Sequence, residues 1–127
     1  MTASTATTVT NLGVAMFTVT DQDAAIAFYT GQLGWELRGD TRFGEGGTER
    51  WVEVAPPGST ARLALNPPMG GEPGGCGIGV ETPDVRAEHA RLREAGVDVD
   101  DVMDAPGAPT LFMMRDPDGN NIAVVQV

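Results

Sequence analysis

The order strand–helix–strand–strand–strand occurs twice in this chain, and that duplication constrains its fold more than any other feature. Val19-Thr20-Asp21-Gln22-Asp23 precedes the first helical stretch, and Val80-Glu81-Thr82-Pro83-Asp84 precedes the second, 61 residues later. Leu33-Gly34-Trp35 is echoed by Ala95-Gly96-Val97 at a spacing of 62. Repeats of this length mean one supersecondary unit duplicated within a domain.

The elements follow from periodicity and punctuation. Asn11 to Thr20 alternates as a strand, with Ala15, Phe17 and Val19 on one face and Val14, Met16 and Thr18 on the other. Asp21 is the N-cap expected for a helix over Gln22 to Leu33, whose stripe is Ala25, Ile26, Tyr29 and Leu33 and whose stop is Gly34. Strands are predicted over Trp35 to Gly39, Arg50 to Ala55 and Ala61 to Asn66, with a turn at Gly44, Gly46 and Gly47. In the second half a strand over Gly77 to Thr82 runs into Thr82-Pro83, read as an N-cap with proline at the first helical position. A helix over Asp84 to Ala95 closes at Gly96, and strands are predicted over Val97 to Met103, Thr110 to Arg115 and Ile122 to Val127. Asp116-Pro117-Asp118-Gly119-Asn120 makes the last two of these a hairpin, because proline presets φ and glycine tolerates a positive φ.

The fold class expected is therefore α+β: two tandem βαβββ modules, residues 11–66 and 76–127, joined by a Pro- and Gly-rich linker over 67–75. They form a curved mixed sheet around a cavity, with the helices on the outer face. Residues 1–10 read as a flexible tail, and 11–127 as a single domain.

Charge narrows the partners. The net charge of −10, with all eight basic residues arginine and scattered, argues against nucleic acid and anionic membrane surfaces. No apolar run reaches the roughly 20 residues that cross a bilayer, and no secretory signal is legible at the start. One cysteine, Cys76, excludes an internal disulfide and fits a reducing cytoplasm. Gly75-Cys76-Gly77-Ile78-Gly79 lacks dinucleotide-fingerprint spacing, and the Asp116 turn lacks the glycine and bidentate glutamate of a calcium loop.

Val19 to Asp23, Phe28-Tyr29, Leu33-Gly34-Trp35, Ala95-Gly96-Val97 and Asp116 to Asn120 together resemble the vicinal oxygen chelate superfamily. That group comprises glyoxalase I, the bleomycin and fosfomycin resistance proteins and the extradiol dioxygenases. The resemblance runs from Leu12 to Val127 and is carried by turn and packing residues, so it implies a fold and not a reaction. It implies homodimers, often with sites formed between subunits. It also implies a divalent metal held by His and Glu, one from each of four strands. Here those positions fall on Val14, at or beside Ala64, at or beside Gly77, and on Ala123. A slip of one residue at the middle two gives Leu63, Leu65, Cys76 or Ile78, of which only Cys76 ligates. The single histidine, His89, falls mid-helix and is assigned to packing.

No metal and no other cofactor is therefore expected. Vacated ligand positions leave an apolar hollow, the usual character of a ligand pocket. The residues expected to line it are Val14, Met16, Trp51, Glu53, Arg62, Ala64, Gly77, Ala123 and Val125, joined by Phe112 and Met114 or else by Met113. The function expected is metal-free binding of a small molecule, aromatic or cationic, by a cytoplasmic homodimer that sequesters a drug or natural product. The resemblance places it nearest the bleomycin-resistance branch. The alternative is an enzyme of the same superfamily: a metal-independent isomerase or lyase with Glu53 or Glu81 as general base and Arg62 or Arg50 as electrophile, or a metal-dependent lyase or dioxygenase.

Overall fold

Period-two alternation and two capped helices resolve into the expected duplicated unit in a computed structural model that describes residues 6–68 and 71–127. Residues 1–5 of the expected tail and 69–70 of the expected linker lie outside the described residues. The first module is β1 (Val14–Thr18), α1 (Gln22–Ala27), β2 (Glu36–Phe43), β3 (Glu49–Ala55) and β4 (Arg62–Asn66). The second is β5 (Gly77–Thr82), α2 (Val85–Glu94), β6 (Asp98–Val99), β7 (Leu111–Arg115) and β8 (Asn121–Gln126). Each module closes as its own four-stranded mixed sheet, in the orders β1-β4-β3-β2 and β5-β8-β7-β6. In each, the first and last strands of the module pair in parallel and the rest are antiparallel.

Both helices depart from their sequence reading for local reasons. Asp21 caps α1 as expected, accepting from Ala24 N–H. Beyond Ala27 the helix widens into a π turn over Phe28–Gln32, where Leu33 N–H bonds the Phe28 carbonyl. For α2 the N-cap is Asp84, not Thr82. Asp84 Oδ1 accepts from Ala87 N–H at 3.1 Å, while Thr82 is still the last residue of β5 and its hydroxyl accepts from Asp84 N–H. Pro83 thus precedes the helix. Gly34 and Gly96 close the two helical segments at φ of +76° and +82°, a conformation open to glycine without steric cost.

The strand bounds shift too. β2 runs on to Phe43, with a register shift between Leu37 and Gly39 that turns Arg38 toward the Pro56 and Ser59 carbonyls. β6 keeps only two residues, with one isolated bridge from Met103 to Leu111. Asp98 and Asp100 beside it are gathered by the Arg115 guanidinium, which holds both carboxyls below the usual carboxylate range.

One apolar core lies under the helices and is shared by both modules, running from Phe17, Tyr29 and Leu65 to Leu92, Phe112 and Ile122. His89 belongs to this packing: its ring meets Phe112 edge-on at 5.0 Å, and Nε2 lies 2.8 Å from the Asp100 carbonyl.

The two modules are locked together by the β7–β8 turn. Asp116 and Asn120 are the buried polar residues among those described. Asp116 Oδ2 accepts from Tyr29 O–H and from Asn120 Nδ2, each at 3.0 Å, and Oδ1 accepts from the Asp118 and Asn120 amides. Asn120 also donates to the Thr18 carbonyl and accepts from Gly74 N–H. Asp118 receives the Thr20 amide and, at 2.6 Å, its hydroxyl. The turn therefore ties β1, α1 and the linker to the second sheet.

Candidate functional site

The face of each sheet turned away from the helices is where the vacated positions lie. Alternation places Phe17 and Val19 in the core and leaves Val14 and Met16 on the open face, where Met16 is 56% exposed. Across the ladder, Met16 stands beside Ala64, which in turn stands beside Glu53. Ala64 is buried between these neighbours rather than lining an open wall.

Polar groups on this sheet converge on Glu53. Trp51 Nε1–H donates to Glu53 Oε2 at 3.0 Å, and Arg62 Nε lies 3.1 Å from Oε1. Both carboxylate oxygens therefore have partners on the protein. The Glu53 side chain is 16% exposed and that of Arg62 43%, so the cation stands outward of the carboxylate that holds it.

Two hollows flank this chain of contacts. One, of about 390 Å³, is lined by Met16, Thr18, Phe43, Arg50, Trp51 and Asn66 with neighbouring loop residues. The other, of about 950 Å³, is a groove along the seam between the modules. Its first-module wall is Leu12, Val14, Ala15, Trp35, the 56–61 loop, Arg62 and Leu63, and its second-module wall is Ile78, Gly79, Val80, Glu81 and Val125.

The expected lining residues thus divide. Val14, Arg62 and Val125 meet at the groove, Met16 and Trp51 at the smaller hollow, and Glu53 joins the two groups. Gly77 and Ala123 lie on the open face of the second sheet, beside Asn121 and Met113 respectively, and line neither hollow. Phe112 and Met114 are corrected. They are 0% and 2% exposed and pair with Val124 and Ile122 in the core beneath α2. Met113, in register with Ala123, lies on the open face, which it shares with Leu111 and Arg115 by alternation. Sequence reading missed Phe43 because β2 was ended at Gly39; continuing the alternation through Thr41 would have found it. Trp35, absent from the expected lining, packs on Tyr29 at 5.3 Å and lines the groove as well.

The donor set does not fit a metal. Val14, Ala64, Gly77 and Ala123 offer no anionic or imidazole donor, and Arg62, which stands beside Val14 across the β1–β4 ladder, places a cation near them that repels a divalent ion. Among the described residues no group of three His, Cys, Asp or Glu is placed to hold one.

Two βαβββ modules with open faces meeting at a seam define a class of protein, and sequence comparison agrees: residues 11–124 match the Glyoxalase/Bleomycin resistance protein/Dioxygenase superfamily, and the chain belongs to it. Among solved structures it is similar to TnmS3, an antibiotic binding protein from Streptomyces sp. CB03234. The two are 33% identical, the match covers 95% of this chain and 98% of that one, and the TM-score is 0.84. It is likewise similar to a superfamily member from Sphaerobacter thermophilus DSM 20745, at 30% identity, 94% and 98% coverage and a TM-score of 0.83. The protein YetH of Bacillus subtilis (strain 168) is 28% identical over 112 residues, 86% of this chain and 92% of that protein.

Proposed function

We propose that this chain is a metal-free small-molecule-binding protein that sequesters a drug or natural product, acting as a homodimer in the cytoplasm. The observation that carries this reading is the chemistry of the open faces. Val14, Met16, Phe43 and Trp51 present apolar and aromatic surface there, and the charged constellation beside them, Arg62–Glu53–Trp51, is a positioning network. Flat rings and methionines suit ligands of irregular or planar shape. The likeness to an antibiotic binding protein supports the same reading. Apolar side chains left open on Val14, Met16 and Phe43 suit coverage by a second copy as well as by ligand. No helix among the described residues is long and apolar enough to cross a membrane.

A thermal-shift screen against polycyclic and cationic antibiotics tests the proposal, since a ligand that binds only the folded chain raises Tm. Sequestration predicts a shift with stoichiometric binding and the ligand recovered chemically unchanged. No shift with any member of the screen would refute it. Elemental analysis of dialysed protein is expected to find no divalent ion in stoichiometric amount; one per chain would overturn the metal-free reading.

The second reading, a metal-independent enzyme, draws on the approach of Arg62 to Glu53 within 3.1 Å. A carboxylate whose two oxygens already meet Trp51 and Arg62 is better arranged to hold those side chains than to take a proton from a substrate. NMR and mass spectrometry of recovered ligand separate the readings: a changed structure or mass, lost in Glu53→Gln, establishes the enzyme.

A further inference from the structure

Two aromatic rings on the open face of the first sheet have no aromatic neighbour among the described residues. Phe28, Tyr29 and Trp35 contact one another in series, and His89 meets Phe112. Phe43 and Trp51 take part in none of these contacts, although both border the smaller hollow, of about 390 Å³. Their placement follows from alternation and register. Val52 and Val54 are fully buried beneath β3, so Trp51 and Glu53 point to the other side. Trp51 stands across from Thr41 in β2, and Phe43, two residues on, shares its face as a diagonal neighbour. Met16 borders the same hollow from β1, and both Met16 and Phe43 are exposed large apolar side chains.

The indole is also held in place. Its one polar atom, Nε1, donates to Glu53 Oε2 at 3.0 Å, and Arg62 Nε fixes the carboxylate in turn, 3.1 Å from Oε1. Arg50 borders the hollow but gives its guanidinium to Asp40 and Asp23. With its hydrogen bond satisfied and its rotation arrested, Trp51 offers a flat face whose ordering cost is met before any ligand arrives.

We propose that the smaller hollow takes a planar fused-ring aromatic, laid against the Trp51 face and bordered by Phe43 and Met16, and that Glu53 is the positioning residue that sets the plane of the indole. This deepens the binding function proposed above and rests on it. Flatness is the property selected. A ring stacked or set edge-on against another gains attraction beyond the apolar area it buries, and a puckered saturated ring of the same skeleton does not. A methionine sulfur adapts to the edge of such a ring. The volume of about 390 Å³ lies at the lower end of the range for small-molecule sites, which suits about two to three fused rings.

The test pairs naphthylmethanol with decahydronaphthylmethanol, which keeps the carbon skeleton and the hydroxyl but is not flat. Calorimetric titration of the full chain is expected to show the flat compound binding about three- to tenfold more tightly. Trp51→Leu keeps an apolar side chain and should erase that ratio. Phe43→Ala, at an exposed position outside the core, should narrow it. Glu53→Leu removes the acceptor of the indole bond and should lower the ratio, while Glu53→Gln, whose amide oxygen still accepts, should keep it. Proton–nitrogen NMR reads the indole signals of Trp35 and Trp51 directly. The flat probe should shift the Trp51 signal, and Glu53→Leu should open its N–H to exchange with water. Equal affinity for the two compounds overturns the inference, as does a ratio that survives both Trp51→Leu and Phe43→Ala. A ratio lost in Leu12→Ala, on the wall of the seam groove, places the ring there and overturns it too. An unchanged ratio and an unchanged indole signal in Glu53→Leu overturn the positioning role. If Phe43→Ala moves a monomer–dimer equilibrium and leaves probe affinity as it was, the hollow is a subunit contact and the inference falls. If the flat probe fails while other members of the thermal-shift screen still raise Tm, the flat-ring assignment falls and the binding function stands. If nothing binds, both fall.

Discussion

Replacing Tyr29 by phenylalanine removes one oxygen from the contact between the modules, and the outcome can be worked out in advance. The Tyr29 hydroxyl donates to Asp116 Oδ2 at 3.0 Å in a fully buried position. A hydrogen bond to a charged acceptor contributes about 1.5–3 kcal/mol. Asp116 retains three other donors, from Asn120 Nδ2 and the Asp118 and Asn120 amides, so its charge stays paired and the lower end applies. The expected loss is about 1.5 kcal/mol, or roughly 5 °C in Tm for a domain of this size. Alkaline pH amplifies the effect. Burial first, then the Asp116 charge and the hydrogen bond to it, push the Tyr29 hydroxyl far above its ordinary value of 10.0. A raised folded pKa means stability is intact below about pH 10 and is lost above it, as the unfolded chain gains by ionising, at about 1.4 kcal/mol per pH unit. Tyr29 is the only tyrosine, so tyrosinate absorbance near 295 nm reports this one group. It should stay silent past pH 10 and then rise together with the tryptophan signal of unfolding. In Tyr29→Phe the stability should lose this alkaline dependence. A smooth titration near pH 10 in protein that remains folded, or a variant as stable as the parent, would refute the argument.

Other substitutions separate the core from the open face. Gly74→Ala combines a backbone φ of +88° with a Cβ 2.6 Å from the Asp118 carbonyl oxygen, so urea unfolding should show a loss of about 2 kcal/mol or more. Phe112→Ala should cost about 3–5 kcal/mol and leave the intrinsic ligand affinity of the folded fraction unchanged. Met113→Ala should do the reverse, with little change in Tm and a weaker Kd for a ligand that reaches the second sheet; the two behaviours exchanged would put the strand in the opposite orientation.

Much of the fold was legible because its signals are local. Asp21, Gly34, Gly96 and the Asp116 turn punctuate the chain by their own backbone chemistry, and the alternation in β1 sorted Val14 and Met16 from Phe17 correctly. The misreadings arose where neighbours decide. Thr82 and Asp84 are both good caps, and Thr82 lost because pairing with Gln126 keeps it in β5. Phe112 and Met114 were set on the wrong face because four consecutive large apolar residues in β7, Leu111 to Met114, carry no alternation, and register with Ile122 and Val124 settles the matter. That Arg62 stands beside Val14 depends on strand register, which local composition does not encode. The meeting of Trp51, Glu53 and Arg62 depends likewise on β3–β4 pairing, and the groove depends on how two modules abut.

The Asp116–Asn120 turn also has a bearing on synthesis. Its bonds to Tyr29, Thr20 and Thr18 span 87, 98 and 102 residues of chain. A nascent first module leaves the ribosome with the Tyr29 hydroxyl and the Thr18 carbonyl unanswered until Asn120 has been translated. The corresponding β3–β4 turn, Pro56-Pro57-Gly58-Ser59, carries no carboxylate, so the first half has no equivalent group to lend. The two halves share a pattern and are not interchangeable: maturation waits on the later one, and protease resistance of the early half is expected to appear only after the last hairpin is made.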